Sequence, residues 1–170
     1  MKRYISRMLT EPWLRGTIPG LHPVAAHLVY TFEQCREEIA LHTLGLTGIW
    51  SPHPPLAAAG FHLAHIAGSV NRLTTYLRGE QLTAWQLARL KAEKTPGPSL
   101  TELLGAMDTE FVATETLVRD IHPSTYSDPR YVGRQQLPTT VGGLIIHMSE
   151  HSQRHLGQAI LTVKLSSRFT

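Results

Sequence analysis

The sequence predicts an all-α protein, a four-helix bundle with long loops and a short extra helix. In four long segments apolar residues recur three and four positions apart, the period of a helix that buries one side. Prolines and glycines cluster between these segments, and no stretch shows a convincing strand alternation. With 170 residues, 42% of them hydrophobic and 17% charged, the chain suits a single soluble bundle domain spanning 1–170.

The first half of the chain is predicted to hold an arm and two long helices. Residues 1–22 are expected to be an irregular arm because prolines and glycines interrupt them. A helix is then predicted from Val24 to about Leu44. After a break rich in proline and glycine, a second helix is predicted over 56–78, with Gly79 as its stop.

A short amphipathic helix is predicted next, over 83–94, before the Thr-Pro-Gly-Pro segment. Ser99 and Glu102 have the spacing of a capping box, so a third long helix is expected to start after Ser99. That helix is expected to end before Pro123.

The last part of the chain is predicted as a loop followed by the fourth long helix. Residues 123–138 are expected to form a structured loop. Within it, residues 130–134 could be extended, but no partner strand can be identified. The final helix is expected to open at Thr139 or Thr140 and to run to about Leu165.

Composition excludes several classes of protein. The net charge of +3 is spread along the chain, which gives nucleic-acid binding little support. The lone Cys35 excludes an internal disulfide and a cysteine-based zinc site. No apolar run has signal-peptide length near the N-terminus or approaches the ~20 residues of a membrane span. We therefore expect a soluble, cytoplasmic protein.

The most informative motif is a histidine series in the last predicted helix. His147, His151 and His155 stand four apart, and positions four apart share a helix face. His151 and His155 lie at the edge of the apolar stripe and together make half of a divalent-metal site. The sequence His151-Ser-Gln-Arg-His155 lacks the Glu that directly follows the first His in the zinc-peptidase pattern, so the general base of that pattern is absent.

A third ligand is sought on the second predicted helix, which carries His62 and His65. Both border its apolar stripe, and helix geometry alone does not choose between them. A metal held by one of them and by the last helix would leave a position for water, as in a catalytic site.

Two stretches make the chain resemble the DinB/YfiT-like superfamily of four-helix-bundle metalloenzymes. One is Gly60-Phe-His-Leu-Ala-His65-Ile-Ala-Gly through Gly79, and the other runs from Leu137 through His151-Ser-Gln-Arg-His155 to Gln158. Members place one ligand His before a short run of apolar and small residues, and a His-x-x-x-His pair on the last helix. The resemblance implies His65, His151 and His155 as the metal ligands.

The resemblance also implies what the site does. The family includes transferases that use a metal-activated low-molecular-weight thiol, and hydrolases; its metals include zinc and nickel, and homodimers are common. The expectation is a metal-dependent enzyme that activates water or a thiol against a small electrophilic substrate. Catalytic residues beyond the ligands are not assigned.

Other residues near the histidines receive weaker expectations. Carboxylates that could accept a hydrogen bond from a ligand His are Glu150, Glu110 and Asp108, besides backbone carbonyls. Residues expected to make structural ion pairs or hydrogen bonds, rather than to bind substrate, are Arg72, Tyr76 and Arg154. His147 is expected to be a surface residue.

Three rival interpretations remain at this point. The chain could be a non-catalytic bundle that a metal only stabilises. It could be a DNA-associated stress protein, although no recognition helix or basic stripe supports this. It could also be a dimerisation module with a pH-sensitive histidine core.

Overall fold

The computed structural model describes residues 10–46, 48–51 and 54–166. Over these residues the chain forms four long α-helices, one short α-helix and a β-hairpin. The helices are α1 (Pro23–Thr43), α2 (Ala59–Leu77), α3 (Ala84–Ala92), α4 (Leu100–Asp120) and α5 (Val141–Ser166), and the strands are β1 (Pro129–Val132) and β2 (Leu137–Thr140). The predicted all-α bundle with a short extra helix is confirmed.

The four long helices pack so that α5 and α4 each contact both α1 and α2. The aromatic rings of Phe32 and Phe111 stack, and Arg36 pairs with Asp108, so α1 and α4 run antiparallel. Side-chain hydrogen bonds join Asn71 to Glu110 and Thr74 to Thr114, so α2 runs parallel to α4.

Helix α2 also contacts α5, and these two helices run antiparallel. His62 meets His155, whereas Thr74, further along α2, contacts Met148, which comes earlier in α5. The helices therefore run up, down, down and up, an order that the long loops had left open.

The interior is mostly apolar, with a few buried polar side chains such as the hydrogen-bonded pair Thr74 and Thr114. Phe32 and Phe111 are fully buried at its centre, with ring centroids 4.1 Å apart and planes within 8° of parallel. Cys35 is buried on the same face of α1 as Phe32.

Local capping signals fix where several helices begin. Ser99 Oγ accepts from the backbone N–H of Glu102, and the Glu102 carboxylate accepts in return from the backbone N–H of Ser99, which is the predicted capping box. Thr83 and Gln86 form a second box at the start of α3. The short helix lies within its predicted range.

The segment expected to be a loop contains a hairpin instead. Strands β1 and β2 pair antiparallel, with Pro129 opposite Thr140 and Val132 opposite Leu137. The extended segment after Pro129 thus has a partner. That partner includes Thr139 and Thr140, so α5 begins one residue later, at Val141, and Thr140 Oγ1 accepts from the Gly143 N–H.

The described part of the N-terminal arm is held against α1. It contains one 3₁₀ turn, Pro12–Leu14. Arg15 pairs with Glu33 at 2.7 Å and with Glu37 at 2.6 Å. Residues 1–9 of the expected arm lie outside the described residues.

Among the helices of the described ranges, none combines the length and the apolar character that a membrane crossing requires.

Candidate metal centre

Helices α2 and α5 bring three histidines together near one end of α2. His65 comes from α2, and His151 and His155 come from successive turns of α5. Each offers one ligand nitrogen, and these three atoms lie within 4.8 Å of one another. All three residues are partly exposed.

The distance between two of the nitrogens suits a shared metal ion. His65 Nε2 lies 3.0 Å from His151 Nε2. Two nitrogens bound to one zinc-like ion at about 2.0–2.1 Å lie roughly 3.0–3.4 Å apart. The donor set of three imidazoles is one that zinc and nickel accept, so these residues fit a divalent ion.

The electrostatic surroundings keep the two α5 histidines uncharged. Burial, with the nearby His65 as a second cause, lowers the pKa of His151 to about 4. Burial and the same neighbour lower the pKa of His155 to about 4. Both imidazoles are neutral at pH 7, which is the form that binds metals.

Glu93, the C-cap residue that follows α3, fixes the orientation of His65. His65 Nδ1 donates to Glu93 Oε2 at 2.6 Å, while Arg72 donates to Glu93 Oε1 at 2.5 Å. The Glu93 side chain is only 6% exposed, so its charge is matched by a partner at each oxygen. With Nδ1 of His65 donating, Nε2 keeps its lone pair for a metal.

Gly68 makes room for this carboxylate. A Cβ at Gly68 would lie 2.0 Å from Glu93 Oε1 and 2.8 Å from Arg72 Nη1. The glycine of the His65-Ile-Ala-Gly68 run therefore has a packing role, because only a residue without a side chain lets Glu93 approach α2.

His62 contacts the cluster from outside it. Its Nδ1 lies 3.0 Å from Nδ1 of His155. If His155 donates in this contact, its Nε2 retains the lone pair, and His62 fixes the tautomer of His155 as Glu93 fixes that of His65. Burial lowers the pKa of His62 too, so it stays neutral.

The other residues that the sequence singled out have different partners. Arg72 makes the structural ion pair that was expected of it. His147 is about half exposed, and Tyr76 is buried. The suggested carboxylate acceptors bond elsewhere: Glu110 accepts from Asn71 (3.0 Å), Asp108 from Arg36 (2.7 Å), and Glu150 pairs with Arg154.

Sequence reasoning missed Glu93. It stands 28 positions from His65, in a helix end that carries no ligand spacing. The one signal was the small residue Gly68 one turn after His65 on the same helix, which indicates a close approach to α2 but not by which side chain.

Comparison with known proteins adds one finding. A family model described as the DinB superfamily matches residues 31–159, most of the chain. Comparison with curated proteins finds no match.

Proposed function

Since this chain belongs to the DinB superfamily, we propose that it is a metal-dependent enzyme that activates water or a low-molecular-weight thiol against a small electrophilic substrate. The observation that carries the proposal is the convergence of ligand nitrogens from His65, His151 and His155 within 4.8 Å. Zinc or nickel is the expected ion, since both accept imidazole ligands.

The chain's own groups prepare the site in three ways. Neutral His151 and His155 offer lone pairs without first losing a proton. Glu93 holds the ring of His65 in one tautomer and one orientation. Three protein ligands, all partly exposed, leave a coordination position for a small molecule, whereas structural zinc sites usually have four protein ligands.

A divalent ion bound here would supply Lewis-acid chemistry, lowering the pKa of a water or thiol ligand toward neutrality. Cys35 is not the thiol in question, because it is buried in the core and burial raises its pKa to about 12. A thiol cosubstrate would therefore come from solution. The expected homodimer and cytoplasmic location stay predictions, and the chemistry requires neither.

The first test is the metal content of the purified protein by plasma mass spectrometry. We expect about one zinc or nickel per chain in the wild type, and loss of it in His65→Ala, His151→Ala and His155→Ala. His27→Ala, which alters an exposed histidine of α1, is the matched control and should keep the metal.

Two results would contradict the proposal. A wild type that stays empty after incubation with zinc, nickel and manganese would remove the metal. A cobalt-substituted protein whose visible spectrum does not change with added thiol or azide would have no exchangeable position, and the metal would be structural.

A further inference from the structure

A cavity of about 470 Å³ adjoins the histidine cluster. It lies between the start of α2 and the chain that follows α3. Its volume is within the usual range of small-molecule sites. Its walls are Trp50, Ala57, Ala58, Phe61, Lys94 and Pro96.

Two of the lining residues connect the cavity to the candidate metal centre. The Phe61 ring stacks on the His65 ring with centroids 5.5 Å apart and meets the His155 ring edge-on at 6.3 Å. Lys94 directly follows Glu93, which accepts a hydrogen bond from His65. Phe61 is thus a wall shared by the cavity and the histidine cluster.

The second aromatic group of the lining, Trp50, is held in place. Trp50 Nε1 donates to the carbonyl of Pro98 at 2.7 Å, which ties the loop before α2 to the linker after α3. A Cβ on Gly60 would come within 2.7 Å of the indole ring. The indole therefore packs directly on the backbone of α2 and forms a preorganised surface.

Among the described residues, the cavity lining is apolar with a single charge. Aromatic and aliphatic groups form this part of the lining except at Lys94. Lys94 is exposed and, among the described residues, makes no ion pair. An ammonium beside two aromatic walls matches a molecule that has a flat apolar body and one anionic group.

We propose that this cavity is the substrate subsite of the metal centre and takes an organic anion, with its apolar body against Trp50 and Phe61 and its anionic group on Lys94. The assignment of this cavity to a substrate rests on the proposed function. The binding site itself stands on the cavity and its lining.

The test uses two fluorescent probes of similar shape, the anion 1-anilinonaphthalene-8-sulfonate and the uncharged N-phenyl-1-naphthylamine. Lys94→Met should weaken binding of the anion roughly two- to fivefold and leave the neutral probe unchanged, since only the anion loses a charge partner. Lys91→Met, one turn earlier on the exposed side of α3, should change neither. Ala57→Trp, which fills the cavity from an exposed position, should weaken both.

Trp50 reports where the probe sits. The chain has three tryptophans, and Trp13 and Trp85 are 51% and 58% exposed, so both can be replaced by Phe. In that variant Trp50 is the sole tryptophan, and the anionic probe should quench its emission saturably. Absence of quenching, or equal anion affinity in Lys94→Met and Lys91→Met, would overturn the subsite.

Metal content of the same samples separates this proposal from the previous one. Metal retained without Lys94-dependent binding overturns the subsite alone. Lys94-dependent binding in a protein that takes up no metal supports an anion site and overturns only the enzyme proposal.

Discussion

At the scale of the residue, the histidines near the cluster differ in what each nitrogen does. His65 and His155 each have one nitrogen in contact with a neighbouring side chain, Glu93 and His62 respectively. Such outer contacts orient metal-ligating rings and fix their tautomers. The structure thus suggests that His62 supports a ligand rather than serving as one.

Replacing His62 tests this assignment. We expect His62→Ala to keep one metal per chain but to weaken its affinity about 10–100-fold, because His155 loses its tautomer-fixing partner. Competition with a chromophoric chelator measures the affinity. His62→Gln, which retains an acceptor, should recover part of it, and complete loss of metal in His62→Ala would make His62 a ligand.

Glu93→Gln removes the charge that holds His65. We expect metal affinity to fall about tenfold and the free energy of unfolding to fall by about 1–3 kcal/mol, because the largely buried Arg72 side chain loses its carboxylate partner. Chelator competition and urea unfolding measure the two effects. Glu80→Gln, at an exposed glutamate just after α2, is the control, and equal behaviour of the two variants would refute the role of Glu93.

The sequence predicted the α5 pair because helical spacing is a local property: His151 and His155 share a face in any helix. The choice of His65 over His62 came from family resemblance, since both border the same stripe. Glu93 could not be predicted, because its contact depends on how α3 folds back onto α2.

At the scale of the element, the helices were predictable because caps and breakers are local signals. The Ser99–Glu102 box and the Pro-Gly segments mark boundaries within a few residues. The hairpin was missed because its turn lacks an Asn-Gly or Asp-Gly signal. Pro138 within β2 also argues against a strand, and it is tolerated because a two-stranded sheet has only edges.

The approach of α3 to α2 depends on Gly68, and an alanine pair tests it. We expect Gly68→Ala to destabilise the protein and weaken metal binding, because its methyl group would overlap Glu93 Oε1. Gly105→Ala, in α4 with open space around it, should stabilise by about 0.4–1 kcal/mol through the unfolded state. Thermal unfolding measures the stability of both variants. A stabilising Gly68→Ala would show that Glu93 can move away without loss of stability.

At the scale of the whole molecule, the bundle buries its single cysteine completely. Burial raises the pKa of Cys35 to about 12, with Glu38 as a further cause. The thiolate is the reactive form, so at pH 8 almost none is present in the folded protein, whereas an unfolded cysteine with a pKa near 8.5 is partly ionised.

Labelling of Cys35 should therefore report global unfolding. We expect alkylation by iodoacetamide at pH 8 to be slow in the native protein and fast in urea, as followed by mass spectrometry. Raising the pH to 9 should leave the native protein largely protected from alkylation, since this pH is still far below the pKa of the buried thiol. Rapid native labelling at pH 8 would contradict the packing around α1.

If His65 binds the proposed metal ion, its contact with Glu93 also links the short helix α3 to metal affinity. Coupling between two events is reciprocal. If the docking of α3 raises the affinity for the metal ion, then binding of the ion stabilises the docked position of α3. Amide protons of Ala84–Ala92 should consequently exchange with solvent more slowly in the metal-loaded protein than in the metal-free one, although only the carboxylate at the end of that helix reaches the cluster. Occupancy of the site would then set the order of a segment that provides none of its ligands.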